Sequence, residues 1–132
     1  MATNLQSVYK NNAIQTATPG ELTLMLYNGC LKFIQQGKQA IEAGDIEAKN
    51  TALQKAQNII RELMVTLKTD SELGQNMLRI YDFILSQLIY ANIKNDLTAL
   101  AEAEELVVSF RDTWKEAIQI DRKQRHGEGG KA

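Results

Sequence analysis

A catalytic site needs a base, a nucleophile or a set of ligands held on a rigid frame, and the 132-residue chain offers little for any of these. Its one histidine, His126, lies in the polar, glycine-rich stretch "QRHGEGGKA", where no frame would hold an imidazole as general base or metal ligand. Its one cysteine, Cys30, sits in an apolar run with no histidine near it in sequence, which predicts a buried thiol and not a nucleophile. Glu102, Glu104 and Glu105 gather three carboxylates, but Glu104 and Glu105 are adjacent and so point in different directions around a helix. Negative charge near a helix start is favourable without any catalytic role. The Glu-x-x-His pair of di-metal bundles, the P-loop and the dinucleotide fingerprint are all missing from the sequence. The reading is therefore of a protein that is not an enzyme and takes no metal and no cofactor.

Composition narrows the partners. Fifteen Lys and Arg against sixteen Asp and Glu give a net charge of -1, which removes the basic footprint of a nucleic-acid binder. No apolar run approaches the roughly 20 residues needed to cross a bilayer, so no membrane insertion is expected. A lone cysteine forms no internal disulfide, and the start of the chain has neither the basic residues nor the apolar stretch of a secretory signal. These features predict a cytoplasmic protein.

The elements that must position any binding residues are easy to place, because proline occurs once and glycine is sparse. Thr18-Pro19-Gly20-Glu21 combines an N-cap, a first-position proline and a glutamate three residues after the cap, the pattern of a capping box. A helix is predicted from there to about Ala43, with Gly44 as its stop and Asp45 as the next cap. Further helices are predicted over 46–68, 72–93 and 97–123. Links this short place sequence neighbours antiparallel, giving an all-α, up-down four-helix bundle. The expected division is an N-terminal lid segment over 1–17, the bundle over 18–123 and a disordered tail over 124–132.

A bundle helix needs one apolar face, and here three helices carry a second apolar line. On the first helix Leu22, Met25, Leu26, Cys30, Phe33 and Ile41 are read as core, which leaves Leu24, Tyr27 and Leu31 aligned elsewhere. On the third, Leu73, Met77, Ile80, Tyr81, Ile84 and Leu88 are read as core, while Phe83 and Tyr90 sit seven apart on another face. On the fourth, Leu97, Ala101 and Val108 form a weaker line beside Leu100, Leu106, Val107, Phe110, Trp114 and Ile118. Aligned apolar side chains make a patch that calls for a cover. Leu24, Tyr27, Leu31, Phe83, Tyr90, Leu97 and Val108 are the predicted binding residues. Three covers are available: a partner, a second copy of the chain in a homodimeric scaffold, or the chain's own Leu5, Val8, Tyr9 and Ile14 folding back as a lid.

Tyr9, Ile14, the run "TATPGELTLMLYNGCLKFI" from Thr16 to Ile34, "ANIKND" from Ala91 and "FRDTWKEAI" from Phe110 resemble the flagellar export chaperones of the FliS family in Bacillus-like bacteria. The likeness covers nearly the whole chain from Tyr9 onward. Its most specific part is Thr16, Ala17, Thr18, Pro19, Leu22, Met25, Leu26 and Tyr27, with Asn28 departing from the acidic residue expected there. The resemblance implies a non-enzymatic helical bundle that binds the C-terminal region of flagellin in the cytosol. It further implies that the bundle prevents premature polymerisation and delivers its client to the cytosolic domain of the flagellar export gate. It also implies that the N-terminal segment, with Tyr9 and Ile14, lies over the client groove or touches the client.

Overall fold

The computed structural model describes the backbone of residues 17–130 and the side chains of residues 17–125. Four helices follow one another: α1 (Pro19–Ala43), α2 (Ile46–Thr66), α3 (Glu72–Lys94) and α4 (Leu97–Gly130). Each packs on its sequence neighbour and α4 closes back on α1, so the four form an antiparallel up-down bundle. Among the described residues there is no strand. The expected lid residues Leu5, Val8, Tyr9 and Ile14 lie outside the described residues.

The helix boundaries follow from side chains that satisfy the end groups the helices leave unpaired. Thr18 Oγ1 accepts the Glu21 N–H at 3.2 Å, Asp45 accepts Ala48 N–H at 3.0 Å, and Ser71 accepts Gly74 N–H at 3.0 Å. Asp96 accepts Ala99 N–H at 2.9 Å at the start of α4. Gly44 ends α1 in the left-handed region at φ 72°, and the N–H groups of Gly44 and Asp45 return to Ile41 and Ala40. Asn95 ends α3 in the same region at φ 53°.

Two boundaries differ from expectation. α2 stops at Thr66, short of Lys68; the Thr66 hydroxyl bonds back to the Glu62 and Leu63 carbonyls, and Leu67 is already extended. α4 runs on to Gly130, where the sequence pointed to a tail from residue 124. A glycine in a helix costs about 1 kcal/mol relative to alanine and does not break it as proline does. Residues 119–125 are exposed, so packing thins near Lys123 while the helix continues.

The core is built from Tyr27, Cys30 and Ile34 of α1, Leu53, Ala56, Ile60 and Leu63 of α2, Tyr81, Ile84, Leu88 and Ala91 of α3, and Leu100, Ala103 and Val107 of α4. At its centre the Tyr27 and Tyr81 hydroxyls hydrogen-bond each other, and both rings pack on Phe110 with centroids 5.9 and 5.2 Å away. α1 and α2 approach closely because Gly37 has no side chain: a Cβ there would collide with Leu53 Cδ2 and lie 2.8 Å from its Cγ. Trp114 is half-buried and fixes the far end, its Nε1 donating to the Gly20 carbonyl at 2.8 Å. Arg122 pairs with Glu21 at 2.6 Å beside it, and this contact above all holds the Glu21 carboxyl below its usual range.

Candidate functional site

The helix phases decide which predicted residues reach the surface, and α1 differs from expectation. Tyr27 is 1 % exposed, in the core and not on a binding face. At about 100° per residue, Tyr27, Cys30, Ile34 and Ile41 fall on one stripe, and that stripe faces Phe110 and Tyr81 across the bundle. The residues read as core span too wide an arc for one face. Leu26 and Phe33 are partly buried at its flank, and Met25 is displaced outward to 36 % exposure.

Leu24 and Leu31 of α1 are half-buried along the edge that meets α4. The register of that edge is set by Gln35, whose side-chain amide donates to the Glu104 carboxylate of α4. In antiparallel helices Leu31, one turn before Gln35, then lies level with Val108, one turn after Glu104. On the other side of the bridge, Ile34, Lys38, Leu97, Leu100 and Ala101 line a small depression of about 40 Å³. Leu24, Leu31, Leu97 and Val108 therefore share one seam, interrupted by a polar bridge.

Phe83 and Tyr90 are each 47 % exposed on α3, away from the buried stripe of Tyr81, Ile84, Leu88 and Ala91, where the spacing placed them. They belong to a different edge. Tyr90 joins Gln87, Asp96, Thr98, Ala99 and Glu102 around a depression of about 250 Å³ between α3 and α4. Gln87 donates to Glu102 at 2.6 Å across it. The apparent carboxylate cluster is thus divided, Glu102 toward α3 and Glu104 toward α1, and both serve as acceptors for neighbouring amides. The seven expected residues fall into a seam of four, an α3 edge of two and one core tyrosine.

Sequence reasoning missed part of the α3 edge. Ile80 is 37 % exposed and Leu73 is 70 % exposed, although both were expected in the core. Ile80, Phe83, Gln87 and Tyr90 are spaced i, i+3, i+7, i+10, a stripe of their own that was legible had Ile80 been assigned to it. Ile46 and Ile93, 71 % and 68 % exposed, sit at helix ends and belong to no stripe.

The chemistry of these surfaces is apolar contact and hydrogen bonding. Among the described residues no group of His, Cys, Asp and Glu is arranged to hold a metal ion. Burial pushes the Cys30 thiol up to about 12, which keeps it protonated and unreactive near neutral pH. Among the described residues no helix is long and apolar enough to cross a membrane.

Comparison with known proteins agrees across sequence and structure. The family model described as flagellar protein FliS matches residues 1–121. The flagellar secretion chaperone FliS of Bacillus subtilis is 58 % identical over 127 residues, 96 % of each chain. That of Escherichia coli is 33 % identical over 110 residues, 81 % of each chain. A solved structure, a flagellar chaperone from bacteria, superposes with a TM-score of 0.72 at 18 % identity, covering 90 % of this chain and 98 % of that one, which supports the fold. With a model spanning most of the chain and relatives this similar along nearly their whole length, the chain belongs to the FliS family of flagellar secretion chaperones.

Proposed function

We propose that the protein holds the C-terminal region of flagellin in the cytoplasm, keeps it from polymerising early and delivers it to the cytosolic domain of the flagellar export gate. The family is one of chaperones and not of enzymes. The observation that carries the reading is apolar surface left over after the bundle is complete. The four-residue seam between α1 and α4 and the stripe of Ile80, Phe83 and Tyr90 on α3 both remain partly exposed.

Flagellin segments that become ordered only by packing on neighbours expose amphipathic sequence while free, and substitute apolar edges keep those segments from finding one another. Ordering the client on binding costs conformational entropy, so an extended interface gives specific association that is still releasable at the gate. The two edges lie on opposite sides of α4 and would engage separate stretches of one client.

Calorimetry of the full chain with a synthetic peptide covering the C-terminal helical region of flagellin tests this. The double variant Phe83→Ser, Tyr90→Ser should keep its melting temperature and bind at least tenfold more weakly, about 1.4 kcal/mol. Absence of binding by the unaltered protein would reject flagellin as client. Unchanged affinity of the double variant would remove the α3 edge from the interface, and a dimer in sedimentation that this variant abolishes would assign the edge to self-association.

A further inference from the structure

At the corner where α2 begins and α3 ends lies a cation without a carboxylate. Lys49 is only 6 % exposed, and its ammonium donates to the Asn92 main-chain oxygen at 2.8 Å and to Asn95 Oδ1. Both acceptors are neutral, and no salt bridge among the described residues includes Lys49. An ammonium has three donors, so one is uncommitted. Beside it, Asn50 Oδ1 accepts from Gln54 at 3.2 Å and from Asn92 Nδ2 at 3.0 Å, which leaves the Asn50 amide N–H groups without an acceptor among the described residues. The one leftover acceptor, Asn92 Oδ1, is sealed from solvent.

Ile46, Glu47, Lys49, Asn50, Asn92 and Ile93 line a shallow depression of about 490 Å³ over this cluster. Its floor is rich in donors and its rims are two of the most exposed aliphatic side chains of the bundle, Ile46 and Ile93. Glu47 is the one opposing charge on the wall.

We propose that this depression holds the free C-terminal carboxylate and the terminal apolar side chain of a bound polypeptide, the carboxylate on Lys49 and Asn50 and the side chain between Ile46 and Ile93. Charge complementarity selects the occupant. Asn50 is exposed, so its amide N–H groups otherwise meet water, and a carboxylate offers them and the Lys49 ammonium one shared charged acceptor; a charge-assisted hydrogen bond is about twice as strong as a neutral one. A chain end carries its carboxylate and its last side chain on the same Cα, so one residue satisfies floor and rim together. Taking that polypeptide to be flagellin rests on the function proposed above, and the site itself does not.

The site is tested first without any client. N-acetyl-leucine carries the required carboxylate and apolar group, whereas N-acetyl-leucinamide lacks the charge. In heteronuclear NMR of the full chain, millimolar N-acetyl-leucine should shift the amide signals of Ile46, Lys49, Asn50 and Ile93 saturably, and the amide analogue should bind at least fivefold more weakly. Equal binding of the two, or no localised shift, overturns the proposal. Lys49→Met would remove the cap of α3 and can unfold the corner, so the variants used are Ile46→Ser with Ile93→Ser, expected to weaken N-acetyl-leucine severalfold at unchanged melting temperature, and Glu47→Gln, expected to tighten it. A Glu47→Gln variant that leaves N-acetyl-leucine binding unchanged overturns the assignment of charge to this wall. Two flagellin peptides differing only in a terminal acid or amide then separate the readings. If neither binds while N-acetyl-leucine does, the flagellin assignment fails and the carboxylate site stands. If both bind equally, flagellin stands as client and its chain end does not use this corner.

Discussion

Replacing Tyr27 by Phe isolates one hydroxyl at the centre of the bundle. The Tyr27 ring is stacked on Phe110 with an interplanar angle of 7° and the Tyr81 ring is tilted on it by 37°, and a phenylalanine would keep those ring contacts. What is lost is the bond between the two hydroxyls, leaving the Tyr81 hydroxyl in a site only 2 % exposed with no replacement partner. A buried polar group left unpaired costs about 1–3 kcal/mol, whereas removing both partners is closer to neutral. Tyr27→Phe and Tyr81→Phe should therefore each destabilise by about 1–3 kcal/mol, and the double variant should cost less than their sum by roughly 1–2 kcal/mol. Against a total stability on the order of 5–15 kcal/mol, urea unfolding followed by far-ultraviolet circular dichroism resolves such differences. If both single variants stay within about 0.5 kcal/mol of the unaltered protein, the hydroxyls are in water, and α1 turns Tyr27 toward a client as its sequence spacing suggested.

Gly37→Ala places a methyl group against Leu53 and should destabilise by about 1–3 kcal/mol, read as a lowered urea midpoint with an unchanged slope; an unchanged midpoint would mean α1 and α2 are farther apart than the structure has them. Burial raises the acid groups Cys30, Tyr27 and Tyr81 above their ordinary values of 9.0, 10.0 and 10.0, so the unfolded chain ionises first. Their contribution is complete below pH 9 and is lost as pH rises past 9 and 10 toward the raised folded values, so melting temperature should fall across that window. A melting temperature flat from pH 8 to about 11 would contradict their burial.

The fold was legible because its signals are local. Thr18, Asp45, Ser71 and Asp96 each cap a helix where they stand in sequence, and Gly44 and Asn95 supply the left-handed ends. On α2 the apolar stripe is narrow and its opposite face is polar apart from Val65, which is 84 % exposed, so Leu53, Ala56, Ile60 and Leu63 could be phased from the sequence. α1 was harder for the same reason it is interesting. Apolar residues surround it, and several phases satisfy the periodicity about equally well. The choice between Tyr27 and Met25 as the inward residue is made by Phe110 and Tyr81, which lie more than fifty residues away in sequence. Lys49 escaped notice because a lysine in a first helical turn looks solvated; only the approach of Asn92 and Asn95 from α3 encloses it. The division of the surface residues between two edges depended likewise on which glutamate met which glutamine.

The length of α4 has a consequence for how the molecule comes apart. At about 1.5 Å per residue its 34 residues extend about 51 Å, against about 32 Å for the 21 residues of α2. Up to Arg122, side chains reach α1 through Trp114 and the pair with Glu21, while the Arg125 ion pair is made within α4 to Asp121. One helix therefore spans two regimes of amide protection. Its first half exchanges hydrogen only when the whole bundle opens, and its last turns unwind from the end at little cost to the core. A protease that needs an extended strand gains access at Lys123 and Arg125 without waiting for global unfolding. The bundle would survive such a cut with its apolar edges unchanged.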